Sequence, residues 1–115
     1  MDSISIVYIT TDSHQQARDI AEALLQERLI ACANILGEMT SLYRWESRVE
    51  NSLEIAMLLK TRSNLVRHVT KRIEELHSYE CPCVISWACD ESHPMFQKWI
   101  VEETQDPESQ EASES

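Results

Sequence analysis

The residues of this chain best suited to chemistry lie close together. His77, Cys81 and Cys83 spell H-x3-C-x-C. An imidazole and two thiolates are ligands for soft or borderline ions such as Cu(I), Cu(II) and Zn(II). The expected site therefore holds copper or another divalent metal ion through His77, Cys81 and Cys83. No second Cys/His pair stands at zinc-finger spacing, which argues against a structural zinc. Cysteines two apart on an extended segment point to opposite sides, so the site needs Pro82 to bend the chain. The same three residues also read as a turn histidine and two small apolar fillers.

A second group is carried by alternating residues. Glu54 and Lys60 fall on one face of a strand pattern, with Tyr43, Trp45 and Glu50 expected nearby. They could line a cleft for a small ligand or form ordinary ion pairs. Cys32 sits between Ala31 and Ala33 and reads as a small buried hydrophobe. His14, His68 and His93 are scattered and expected at the surface. The single glycine, Gly37, leaves no glycine-rich phosphate loop, and no nucleophile-elbow pattern occurs. The chain is predicted not to be an enzyme and to require no cofactor.

Charge narrows the partners further. The 115 residues carry a formal charge of −10. Six of the acidic residues, Glu102, Glu103, Asp106, Glu108, Glu111 and Glu114, crowd the last stretch, which has no basic residue. Composition thus predicts one domain over residues 1–103 and an acidic, disordered tail over 104–115. An acidic body argues against nonspecific nucleic-acid binding, which needs Lys and Arg against phosphates, so no nucleic-acid partner is expected. No run approaches the roughly 20 apolar residues that cross a bilayer, so no membrane partner is expected. Met1-Asp2-Ser3 leads straight into a strand pattern rather than a basic-then-apolar leader. The cytosol is the expected compartment, with Cys32, Cys81, Cys83 and Cys89 unpaired.

The elements that must position these residues follow from periodicity. Ile4, Ile6 and Tyr8 alternate with Val7 and Ile9, a strand apolar on both faces. Ala17, Ile20, Ala21, Leu24 and Leu25 form one stripe of a helix over Ser13 to Arg28, capped by Asp12 or Ser13. Ile30 to Arg44 and Val49 to Thr61 read as two long strands joined by a turn at Trp45 to Arg48, with Gly37 marking a bulge. Ser63 or Asn64 should cap a second helix burying Leu65, Val69, Ile73 and Leu76, with the Arg72 stem along it. Val84 to Asp90 is a further strand. Ser92 should cap a short last helix with Pro94 in its first turn. The order is that of an α+β, ferredoxin-like (split βαβ) fold: a four-stranded antiparallel sheet, two helices on one face, a long hairpin and a short C-terminal helix. Two helices cover one face only, yet the strands are apolar on both. The second face and the over-long hairpin predict an oligomer.

The run Glu27-Arg28-Leu29-Ile30-Ala31-Cys32-Ala33-Asn34-Ile35 resembles the start of the second strand in the CutA divalent-cation tolerance family, and Ser41-Leu42-Tyr43-Arg44-Trp45-Glu46 resembles its hairpin. Glu54, Met57, Lys60 and Thr61 fit the pattern E-x-x-M-x-x-K-T. His77, Tyr79, Glu80 and Pro82 fit H-P-Y-E-x-P-E, and Trp99 fits a tryptophan of the last helix. The chain departs where the family's W-E-G turn is Trp45-Glu46-Ser47, where H-P-Y is His77-Ser78-Tyr79, and where Cys83 replaces the final glutamate. The resemblance spans about Ile4 to Glu103. It implies a homotrimer with hairpins paired across subunits and adds Cys32, Tyr79, Glu80 and Trp99 to the candidate cleft. It also implies a role in the response to copper and other divalent metal ions. The alternatives it brings are a PII-like trimeric sensor of a small ligand, and a non-enzymatic scaffold or anchoring protein.

Overall fold

The computed structural model describes residues 3–106. Eight elements follow in order: β1 (Ile4–Thr11), α1 (His14–Gln26), β2 (Cys32–Trp45), β3 (Arg48–Arg62), a single 3-10 turn at Ser63–Leu65, α2 (Val66–Leu76), β4 (Val84–Ala88) and α3 (Pro94–Glu103). The strands form one sheet in the order β2-β3-β1-β4, every neighbour antiparallel. Strand β3 is inserted between β1 and β2, the strands that α1 connects. This is the split βαβ arrangement expected from the sequence.

Alternation along the strands decides which face is covered. Val7 and Ile9 of β1 face Leu59 and Met57 of β3, and with Ile55 they pack against Ile20 and Leu24 of α1 and Leu65, Val69 and Ile73. These side chains are almost completely buried and form the main core. A second, smaller cluster joins Ile4, Ala31 and Ile100. Ile4 has the opposite parity to Val7, so α3 lies on the other face of the sheet and covers one corner of it. The sequence left that face wholly bare. Most of it remains open: Ile85 and Trp87, which pair with Tyr8 and Ile6, are 56% and 47% exposed.

Helix α1 begins as the sequence predicts. Ser13 is extended, and its hydroxyl accepts the Gln16 backbone N–H at 3.1 Å. The helix ends in a Schellman motif, with Leu29 N–H on Leu24 O at 2.9 Å and Arg28 N–H on Leu25 O at 3.0 Å. The left-handed residue is Arg28, at φ 58°. Glycine is usual there, and Arg28 has a second duty. Its guanidinium donates to the carbonyls of Glu102 (2.6 Å) and Glu103 (3.3 Å). Arg62 donates to Val101 O (2.6 Å) and Thr104 O (3.0 Å). Two cations thus close the carbonyl end of α3, where the helix dipole is negative.

Leu25, expected in the buried stripe, is 40% exposed. Neither Ser63 nor Asn64 caps α2: the 3-10 turn at Ser63–Leu65 puts Leu65 at the cap position, with no side-chain hydrogen bond. His93, not Ser92, caps α3, its Nδ1 accepting the Met95 N–H at 3.1 Å. Arg72 is more than a solvated stem. It grips both carboxylate oxygens of Glu27, Nε to Oε1 at 2.9 Å and Nη2 to Oε2 at 3.0 Å, tying α2 to the end of α1. Thr104 and Gln105, assigned to the tail by composition, belong to the domain. Thr104 is buried, and Gln105 bonds to the carbonyls of Arg28 and Glu27. The rest of the expected disordered tail, residues 107–115, lies outside the described residues.

The hairpin is as long as its pattern implies. β3 pairs with β1 only from Ile55 onward, so Arg48 to Glu54 project beyond the sheet body. At ~3.3 Å per residue that overhang is about 23 Å. The β2–β3 register slips between Ile35 and Glu38, placing a bulge at Gly37. Glu46 and Ser47 form the turn with φ 48° and 66°, the positive pair of a type I′ hairpin.

Candidate functional site

The bulge sets the geometry of the site. Beyond it Met39, Ser41, Tyr43 and Trp45 stand opposite Glu54, Ser52, Glu50 and Arg48. All lie on the open face. The segment from His77 to Cys83, between α2 and β4, folds over this face. Together they enclose a pocket of about 640 Å³ lined by Thr10, Ser41, Tyr43, Trp45, Ser52, Glu54, Tyr79, Glu80, Cys81 and Cys83.

His77 anchors that segment. It is 8% exposed, its Nε2 donates to Thr10 O at 2.7 Å, and its Nδ1 accepts the Tyr79 N–H at 3.1 Å. Its ring lies against that of Tyr79, with centroids 4.5 Å apart. The Tyr79 hydroxyl in turn donates to Glu54 Oε2 at 3.1 Å. Both ring nitrogens of His77 are therefore occupied, which removes it from the expected metal set of His77, Cys81 and Cys83. Among the described residues no group of three or more His, Cys, Asp or Glu side chains is placed to hold a metal ion. His77 positions Tyr79, and Tyr79 positions Glu54.

Cys81 and Cys83 remain on the pocket wall, the first exposed and the second half-buried. Burial pushes the Cys83 thiol up, the negative charge of Glu54 and that of Cys81 push it further, and a side-chain hydrogen bond with Thr10 pulls it back. Burial also raises the Tyr79 phenol, to about 12, with the charge of Glu54 and their hydrogen bond adding to the effect. Tyr8 is raised by burial first, then by Cys83 and Glu54. Each shift has a contribution from the Glu54 carboxylate, which disfavours a further negative charge beside it.

The residues expected to share one cleft fall into two places. Tyr43, Trp45, Glu54, Tyr79 and Glu80 line the pocket. Glu50 is across the ladder from Tyr43 but outside the lining. Cys32, Lys60 and Trp99 stand at the other end of the open face, beside α3. Cys32 is the ladder partner of Lys60, whose Nζ lies 5.6 Å from the Phe96 ring centroid, and Phe96 stacks on Trp99 at 5.7 Å. Burial raises the Cys32 thiol, against the pull of the Lys60 charge. Sequence reasoning missed Thr10, Ser41 and Ser52. The two serines lie two residues from Tyr43 and Glu54, hence on their face, a signal readable once the register is known.

A profile of the family described as CutA1 divalent ion tolerance protein matches residues 5–103. The chain belongs to this family. The divalent-cation tolerance protein CutA of Pyrococcus horikoshii is 41% identical over 99 residues, covering 86% of this chain and 96% of the relative. Protein CutA of Mus musculus is 32% identical, and this chain spans only 58% of its length. The crystal structure of CutA1 from Ehrlichia chaffeensis superposes with a TM-score of 0.87 at 38% identity, over 92% of this chain and 99% of that one. CutA1 from Oryza sativa gives 0.88 at 27% identity, over 90% and 95%. The four-stranded antiparallel sheet and its helices are thus the CutA architecture.

Proposed function

We propose that this chain is a non-enzymatic divalent-cation tolerance protein that works as a homotrimer and binds a soft cation, copper above all, at the thiol side of its pocket. The observation that carries the reading is the convergence of Cys81 and Cys83 on one pocket beside Glu54. Thiolates select Cu(I), and a linear Cu(I) ion needs only two of them. Binding must displace thiol protons, and the raised Cys83 makes that competition steeper. Apparent affinity therefore increases with pH through the thiol range. The cytosol, where thiols stay reduced, is the compartment that suits this chemistry.

The test is an anaerobic Cu(I) titration against a competing chelator, on protein carrying no His-tag. Replacing Cys81 and Cys83 together by serine should weaken Cu(I) binding tenfold or more, while His77→Gln should leave it within about twofold. Equal affinity in the double variant would reduce the two cysteines to packing residues. A PII-like small-ligand sensor is the second reading. It is favoured by a pocket of about 640 Å³ with aromatic walls, far larger than one ion requires. A ligand-dependent rise in melting temperature would support it.

A further inference from the structure

We infer that the pocket takes an organic ammonium ion, its charge against Glu54 and its carbon body against Tyr43 and Trp45. This rests on the pocket being a binding site; Cys81 and Cys83 line the same pocket, so the inference is tested on metal-free protein. Of the side chains lining it, the ionic ones are Glu54 and Glu80; none is Lys, Arg or His. Glu54 is half-buried, accepts one hydrogen bond, from Tyr79, and has no ion-pair partner among the described residues. A carboxylate has room for about four donors. This one is held in place by a fixed phenol and faces an open cavity.

The walls complete the complement. Tyr43 and Trp45 stand two residues apart on the same face of β2 and are 42% and 55% exposed. Aromatic faces attract ammonium groups, and sets of such rings recognise quaternary ammonium ligands; Glu54 adds a carboxylate to the same pocket. A phosphate-bearing ligand would meet two carboxylates with no cation lining the cavity to offset them. The pocket is selective for positive charge.

The experiment follows the Trp45 indole N–H resonance of the full chain, assigned with Trp45→Phe, during titration with three probes. Choline is the cation, 3,3-dimethylbutan-1-ol its uncharged counterpart of the same shape, and adenosine triphosphate the anion. Choline should shift the resonance and bind at least tenfold more tightly than the alcohol. Glu54→Gln, shown folded by an unchanged circular dichroism spectrum, should abolish that preference. Equal binding of choline and the alcohol would overturn the ammonium inference while leaving a ligand pocket. A response to the nucleotide alone would overturn it in favour of an anion sensor. No response to any probe would overturn both the inference and the small-ligand reading, leaving the cysteine site to the copper titration.

Discussion

Glu54 gives the pocket its character, and Tyr79 is the residue that reports it. Its phenol is raised from 10.0 to about 12, first by burial and then by the Glu54 charge. Absorbance at the phenolate band should show one tyrosine titrating near pH 12, and Glu54→Gln should bring that step down. A folded-state value above the unfolded one means that the folded chain keeps a proton which the unfolded chain loses. The stabilisation is complete below pH 10 and is lost as pH rises through about 12. Tyr79→Phe should therefore flatten the alkaline arm of the stability profile. His77 acts one step behind. His77→Ala strands the buried Thr10 carbonyl and the Tyr79 N–H, and should cost about 1–3 kcal/mol in chemical denaturation. The sequence made His77 a metal-ligand candidate because imidazole serves equally well as ligand and as hydrogen-bond bracket. Only its two partners distinguish these roles, and both are backbone groups with no signature in the sequence.

At the scale of the element, the hairpin and the closing helix carry the informative strain. Ser47 sits at φ 66°, in the turn where the resembling family has glycine. A side chain in that region costs about 1–2 kcal/mol. Ser47→Gly should therefore raise stability by about 1 kcal/mol, read as a higher denaturation midpoint with an unchanged slope. Arg28 is also left-handed, but its guanidinium holds the end of α3. Arg28→Gly should gain in backbone freedom, lose two hydrogen bonds to Glu102 and Glu103, and increase amide exchange in α3. The strands, α1 and the bulge at Gly37 were legible because alternation, the 3.6-residue stripe and a lone glycine are local signals. The cap of α3 was not, because Ser92 and His93 are both competent and only the path of the chain chooses. Nor was the splitting of the cleft. Tyr43 and Glu54 line one pocket along the outer half of the hairpin while Cys32 and Lys60 pair near its base, and parity alone reports the face but not the distance along it.

The whole molecule leaves apolar surface that a lone chain would expose to water. Ile85 and Trp87 lie on the open face, and Leu42, Val49 and Leu53 lie along the projecting hairpin, all largely exposed. Residues of this kind bury themselves against another copy when hairpins pair across subunits. The proposed function includes that assembly, and the pocket opens on the face of Ile85 and Trp87, opposite to that of Leu42, Val49 and Leu53. The most direct measurement is light scattering on a size-exclusion column at micromolar concentration, with the full chain of 13.3 kDa. A single species of three chain masses, unchanged on dilution, is the result expected. A species at one chain mass would contradict the account.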